Sequence, residues 1–102
     1  MICLGYNMEN MFEVIKILDG NTFEVTPFWQ WHNENGVIVS ARGYRAPATG
    51  EADHEKIKTK LMELLFGECV TLKDAVAIKD DALVCRVYIQ DKDLADYFSE
   101  YQ

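Results

Sequence analysis

Val37-Ile-Val-Ser-Ala-Arg-Gly-Tyr-Arg-Ala-Pro-Ala48 is the stretch on which the reading of this chain turns. Its first half is β-branched and apolar, as a strand requires. Gly43 followed by Pro47 ends that strand in a loop leading to a helix, a place where small β folds often put chemistry. Working back from it, residues 29–36 form the far end of a hairpin, with Asn35-Gly36 as the strongest turn signal. The strand before that, 22–28, alternates: Phe23 and Val25 share one face, and Thr22, Glu24 and Thr26 the other. Pro27 limits how far its central pairing can run. A first strand over 11–18 is joined to it by the turn chemistry of Asp19-Gly20-Asn21.

Working forward, the period changes over 51–66. Ile57, Leu61, Leu64 and Leu65 fall on one helical stripe, and lysines occupy the other faces. Asp53 or Thr49 is the expected cap, Glu51 and Glu55 suit the positive end of the dipole, and Gly67 is the expected stop. Two short strands follow at 69–73 and 83–90, separated by a turn at Lys79-Asp80-Asp81. A second helix is expected from about Asp93, its buried stripe made of Leu94, Tyr97, Phe98 and Tyr101. The order β-β-β-α-β-β-α predicts a mainly β, α+β domain: a five-stranded Greek-key barrel of the OB type.

The 102 residues make one domain, and 49% hydrophobic content is enough to bury a core. Residues 11–102 are assigned to that domain and residues 1–10 to a loose N-terminal tail. With Asp+Glu 17 against Lys+Arg 10, the net charge of −7 disfavours a phosphate backbone as partner unless the cations are gathered on one face. Cys3, Cys69 and Cys85 have neither zinc spacing nor an even count, so they read as buried or free thiols of a reducing compartment. The first residues have no basic leader and too short an apolar run for a signal peptide or a span. The expected location is cytoplasmic, with no membrane partner.

Four stretches carry a family resemblance. Val14-Ile-Lys-Ile-Leu-Asp19-Gly-Asn-Thr22-Phe-Glu-Val25 resembles the V-x-x-x-x-D-G-D-T-x-x-V opening of the staphylococcal nuclease-like (thermonuclease) family. Val39-Ser-Ala-Arg-Gly-Tyr-Arg-Ala-Pro-Ala48 is similar to its V-R-L-R-G-I-D-A-P-E. The run ending Leu-Leu-Phe-Gly-Glu-Cys-Val-Thr-Leu72 resembles L-L-x-G-x-x-V-x-L, and residues 83–94 follow V-Y-V-x-D-x-D-L. The match spans about residues 12–98 and stops where the family usually adds a third helix.

What the resemblance implies is phosphodiester cleavage with a calcium ion held by two Asp, a Glu as general base and two Arg on the phosphate. Carried over residue by residue, Asp19 is kept, but Asn21 and Arg45 stand for the two calcium carboxylates. Ala48 stands for the base, Ser40 for the first arginine and Ala82 for the second. Exchanging two carboxylates for an amide and a guanidinium changes the local charge by three units. Each unit pair about 4 Å apart is worth roughly 4 kcal/mol at an effective dielectric near 20. The implied function is therefore a catalytically inactive nuclease-like domain acting as a binding or assembly module, with no cofactor and no metal. The alternative is a phosphodiesterase, with or without calcium, or a nucleic-acid-binding OB domain, whose site residues have moved.

Trp29 and Trp31 share a face of an extended segment and are candidate base-stacking residues; the plainer expectation is that they cover the end of the barrel. Arg42 and Arg45 are candidates for an anion pocket, against pairing with Glu51 or Asp53. His32 and His54 have no metal-binding motif beside them. The partner expected is an unidentified protein, or a second copy in a weak homodimer through Leu94, Tyr97, Phe98 and Tyr101.

Overall fold

The computed structural model describes residues 11–46 and 50–101. Strands β1 (Met11–Ile17), β2 (Thr22–Trp31) and β3 (Glu34–Ala41) are followed by helix α1 (His54–Leu65). Then come β4 (Cys69–Lys79), β5 (Ala82–Ile89), the two-residue β6 (Lys92–Asp93) and a 3-10 segment, Leu94–Tyr101. The sheet runs β3-β2-β1-β4-β5-β6, and β3 also pairs with β5. That extra pairing is parallel, Ile38↔Ala82 to Ala41↔Cys85, and closes five strands into a barrel of the OB type.

The barrel is filled by the alternate residues that the sequence pattern places inward. Val14, Phe23, Val25, Val39, Val70, Cys85 and Val87 are fully buried, and Ile57, Leu61 and Leu65 of α1 join them in one core. Leu64, the fourth residue of the expected stripe, is only partly buried. Below α1, Tyr44 stacks on Phe98 with ring centroids 4.5 Å apart, and its hydroxyl donates 2.8 Å to the Gly20 carbonyl in the interior.

Several boundaries move. The β2–β3 turn is His32-Asn33, with φ of 49° and 69°, between the paired residues Trp31 and Glu34. Asn35-Gly36 is part of β3 instead. Gly36 lies opposite Trp29, and a Cβ there would sit 2.7 Å from the indole, so this glycine makes room for a side chain rather than for a turn. β2 continues past Pro27, which follows a cis peptide, because a bulge between Glu24 and Trp29 lets pairing with β3 resume. β4 likewise runs on from the expected 69–73 to Lys79, across an irregularity between Lys73 and Ala77 where Asp74 has φ 53°. The Asp80-Asp81 turn stands as expected, with φ of 53° and 67°.

Helix α1 is shorter than 51–66. Asp53 occupies its N-terminal boundary with φ 70°, and its side chain does not cap. That carboxylate accepts from the Tyr101 hydroxyl at 3.4 Å instead. The other expected cap, Thr49, lies outside the described residues. The second helix is not an α-helix: Lys92–Asp93 pairs with β5, and the following turns are 3-10, broken at Phe98 (φ −125°, ψ 41°). Inward packing of Leu94, Ala95 and Phe98 is served better by this kinked path than by a regular helix, and Lys60 of α1 donates to the Tyr97 carbonyl and lies over the Phe98 ring.

Cys69 is disulfide-bonded, which corrects the expectation of free thiols at all three positions. Sequence spacing misleads because pairing depends on distance in the fold. Cys85 is a buried free thiol. No helix among the described residues is long and apolar enough to cross a membrane. The tail assigned to residues 1–10 lies outside the described residues.

Candidate functional site

The turn between β1 and β2 and the loop after β3 meet. The Asn21 carbonyl accepts from the Ala41 amide at 2.8 Å, and Thr22 pairs with Ser40. Asp19 receives the Gly20 amide at 2.8 Å and lies 3.5 Å from His54 Nδ1 at the start of α1. The Asn21 side chain is engaged locally, its Oδ1 accepting from the Thr22 hydroxyl at 3.1 Å. The loop itself is pinned: the Arg42 amide donates to Cys85 and the Arg45 amide to the Tyr101 carbonyl, at 2.9 and 2.8 Å. Gly43, at φ 106°, packs so tightly that a Cβ would come within 2.9 Å of both Ala95 and the Arg86 guanidinium.

The family positions therefore fall in two places. Asp19, Asn21 and the exposed Arg45 belong to the turn and loop. Ser40 and Ala82 line a recess of about 310 Å³ together with Leu18, Thr22, Lys79 and Asp80. Ala82 is a buried barrel residue paired with Ile38. Ala48 and Pro47 lie outside the described residues. Arg86, four residues beyond the second arginine position, bonds Asp93 at 2.7 Å, and that carboxylate raises its pKa. Asp93 also accepts the Ala95 amide at 2.9 Å, so the pair anchors the start of the 3-10 segment. Among the described residues, no three of His, Cys, Asp and Glu stand together in a way that could hold an ion.

The two tryptophans occupy different surroundings. Trp29 is buried, and its indole N–H donates 2.8 Å to the Ile38 carbonyl across the hairpin. Trp31 is half-buried and makes an edge contact with His32, ring centroids 4.1 Å apart. Both line a recess of about 560 Å³, walled by residues 27–31 of β2 and 72–75 of β4. Sequence reasoning found one wall through its tryptophans. It missed the other, because Leu72, Lys73, Asp74 and Ala75 carry no signal of their own and become a wall only through the place of β4 in the sheet.

Arg42 acts on the interior as well as the surface. Burial pushes the Cys85 thiol up to about 12, against a smaller opposing pull from the Arg42 charge. Burial also raises the Tyr44 phenol above its ordinary value. Neither group is poised to ionise near neutrality, so neither offers a nucleophile.

No protein-family model matches the sequence, and no curated protein matches it.

Proposed function

We propose that this chain is a catalytically inactive, staphylococcal nuclease-like OB domain that serves as a binding or assembly module. The observation that carries the reading is the chemistry at the meeting of the β1–β2 turn with the loop after β3. The family's two calcium carboxylates and its first phosphate-binding arginine correspond to Asn21, Arg45 and Ser40, and the Asn21 amide is spent on Thr22. The barrel order with its parallel β3–β5 closure supports the resemblance.

Protein is favoured over nucleic acid as the partner. Four of the ten cations are engaged locally: Lys73 lies over Tyr88, Lys92 over Tyr97, Lys60 beside Glu100, and Arg86 is bonded to Asp93. A weak homodimer through the 3-10 segment would rest on Tyr97 and Tyr101, which are partly exposed, because Leu94 and Phe98 are fully buried in the same chain. Titration of a fluorescent oligonucleotide at low salt, with and without calcium, tests the reading. No saturable binding is expected in either condition. Saturable binding that weakens steeply with added salt would favour the nucleic-acid alternative.

A further inference from the structure

Where α1 ends against β1, the backbone brings apolar side chains to the surface. The register of β1 on β2 passes from Val14↔Val25 to Lys16↔Glu24, so Ile15 is an extra residue in the ladder. Such a bulge breaks the two-residue alternation: Val14 and Ile17 are buried, while Ile15 is 41% exposed. At its C-terminus α1 stops at the left-handed Gly67 (φ 78°), and Phe66 just before it is 58% exposed. Met62 lies one turn earlier on the same side, its carbonyl accepting the Phe66 amide at 3.0 Å, and is 46% exposed. The two places are stitched together. The Gly67 amide donates 2.9 Å to the Val14 carbonyl, and the Val14 amide donates 3.0 Å to the Glu68 carbonyl.

Six large apolar side chains stay exposed among the described residues, and three of them, Ile15, Met62 and Phe66, gather here. Apolar side chains scattered singly over a surface need no explanation, whereas a cluster marks a contact surface. We propose that Ile15, Met62 and Phe66 form the centre of a two-fold contact with a second copy of this chain. The dimer gives the assembly module read above its contact surface, and it rests on that reading.

Charge and size choose this occupant. Two copies carrying −7 each repel as whole bodies, so they must meet where both signs are present. Beside the apolar cluster they are: Lys16 follows Ile15, Lys58 stands one turn before Met62, and Glu63 and Glu68 flank Met62 and Phe66. A two-fold axis through such a patch sets the lysines of one copy beside the glutamates of the other. Three apolar side chains a copy are far fewer than the roughly 20–30 residues a side of a stable interface, so the dimer is a weak, reversible one. The tyrosines of the 3-10 segment suit the role less well, because Lys92 lies over Tyr97 and the Tyr101 hydroxyl is bonded to Asp53.

Sedimentation equilibrium of the full chain, from micromolar to its highest soluble concentration, tests this. The parent is expected to pass reversibly from monomer to dimer. Phe66→Ser and Ile15→Ser should each weaken the dimer by about tenfold. Lys58→Glu should weaken it too, and added salt should relieve that loss. Because these side chains are exposed in a single copy, the variants should keep the parent's melting temperature at the lowest concentration. A parent that stays monomeric throughout overturns the proposal. So does a dimer that survives Phe66→Ser and Ile15→Ser but is lost in Tyr101→Ser, which would give the contact to the 3-10 segment. Failure here shows in the mass of the species alone, whereas failure of the module reading shows as oligonucleotide binding.

Discussion

At Gly36 a single absent side chain decides how a tryptophan packs. The Trp29 indole lies over this glycine and reaches the Ile38 carbonyl, so Gly36→Ala must push the ring or the strand aside. Overpacking of this kind costs about 1–3 kcal/mol, and urea unfolding of the variant is expected to show a loss in that range with an unchanged m-value. Cys85 gives a second residue-level prediction. Burial raises its thiol to about 12, well above the ordinary cysteine range, so at alkaline pH the folded state holds a proton that the unfolded state gives up. Stability is then fully present below about pH 9 and falls as pH rises toward about 12. Chemical denaturation from pH 8 to pH 11 is expected to show a shallower decline in Cys85→Ala than in the parent. An identical slope in the two proteins would contradict the assignment.

At the scale of elements, the turns show what the sequence could and could not reveal. Asp80-Asp81 and His32-Asn33 both close two-residue loops with positive φ. The first was legible, being two turn-forming residues between strand-like runs. The second was hidden by Asn35-Gly36, a stronger local signal that tertiary packing against Trp29 reassigns to β3. Since His32 and Asn33 hold φ values that Asn and Gly adopt more readily, His32→Asn with Asn33→Gly is expected to raise stability by about 0.5–1 kcal/mol. A fall in melting temperature would place the turn elsewhere. The helix-spaced stripe of Leu94, Tyr97, Phe98 and Tyr101 was legible as a buried face but not as a kinked 3-10 path. The reason is tertiary: Asp93 is held in a ladder with Tyr88 and bonded to Arg86, and Phe98 must reach Tyr44.

For the whole molecule, the strand order and the inward alternation were readable because barrel strands impose a period of two on a core of fixed width. Asp19 and Asn21 lie in the turn between β1 and β2 and Arg45 in the loop after β3, where Gly43 holds φ 106°. The recess lined by residues 27–31 and 72–75 was only half readable, since Leu72, Lys73, Asp74 and Ala75 carry no signal of their own. The proposed loss of nuclease chemistry is tested by incubating single-stranded DNA and RNA with purified protein in millimolar calcium. Loss of a general base costs about 10²–10⁴ in rate, and loss of charge-stabilising donors a further factor of about 10²–10³. The expected result is no cleavage above the buffer control. Calcium-dependent cleavage that copurifies with the protein and disappears in Glu51→Gln, which removes the carboxylate three residues beyond Ala48, would overturn the proposed loss of chemistry.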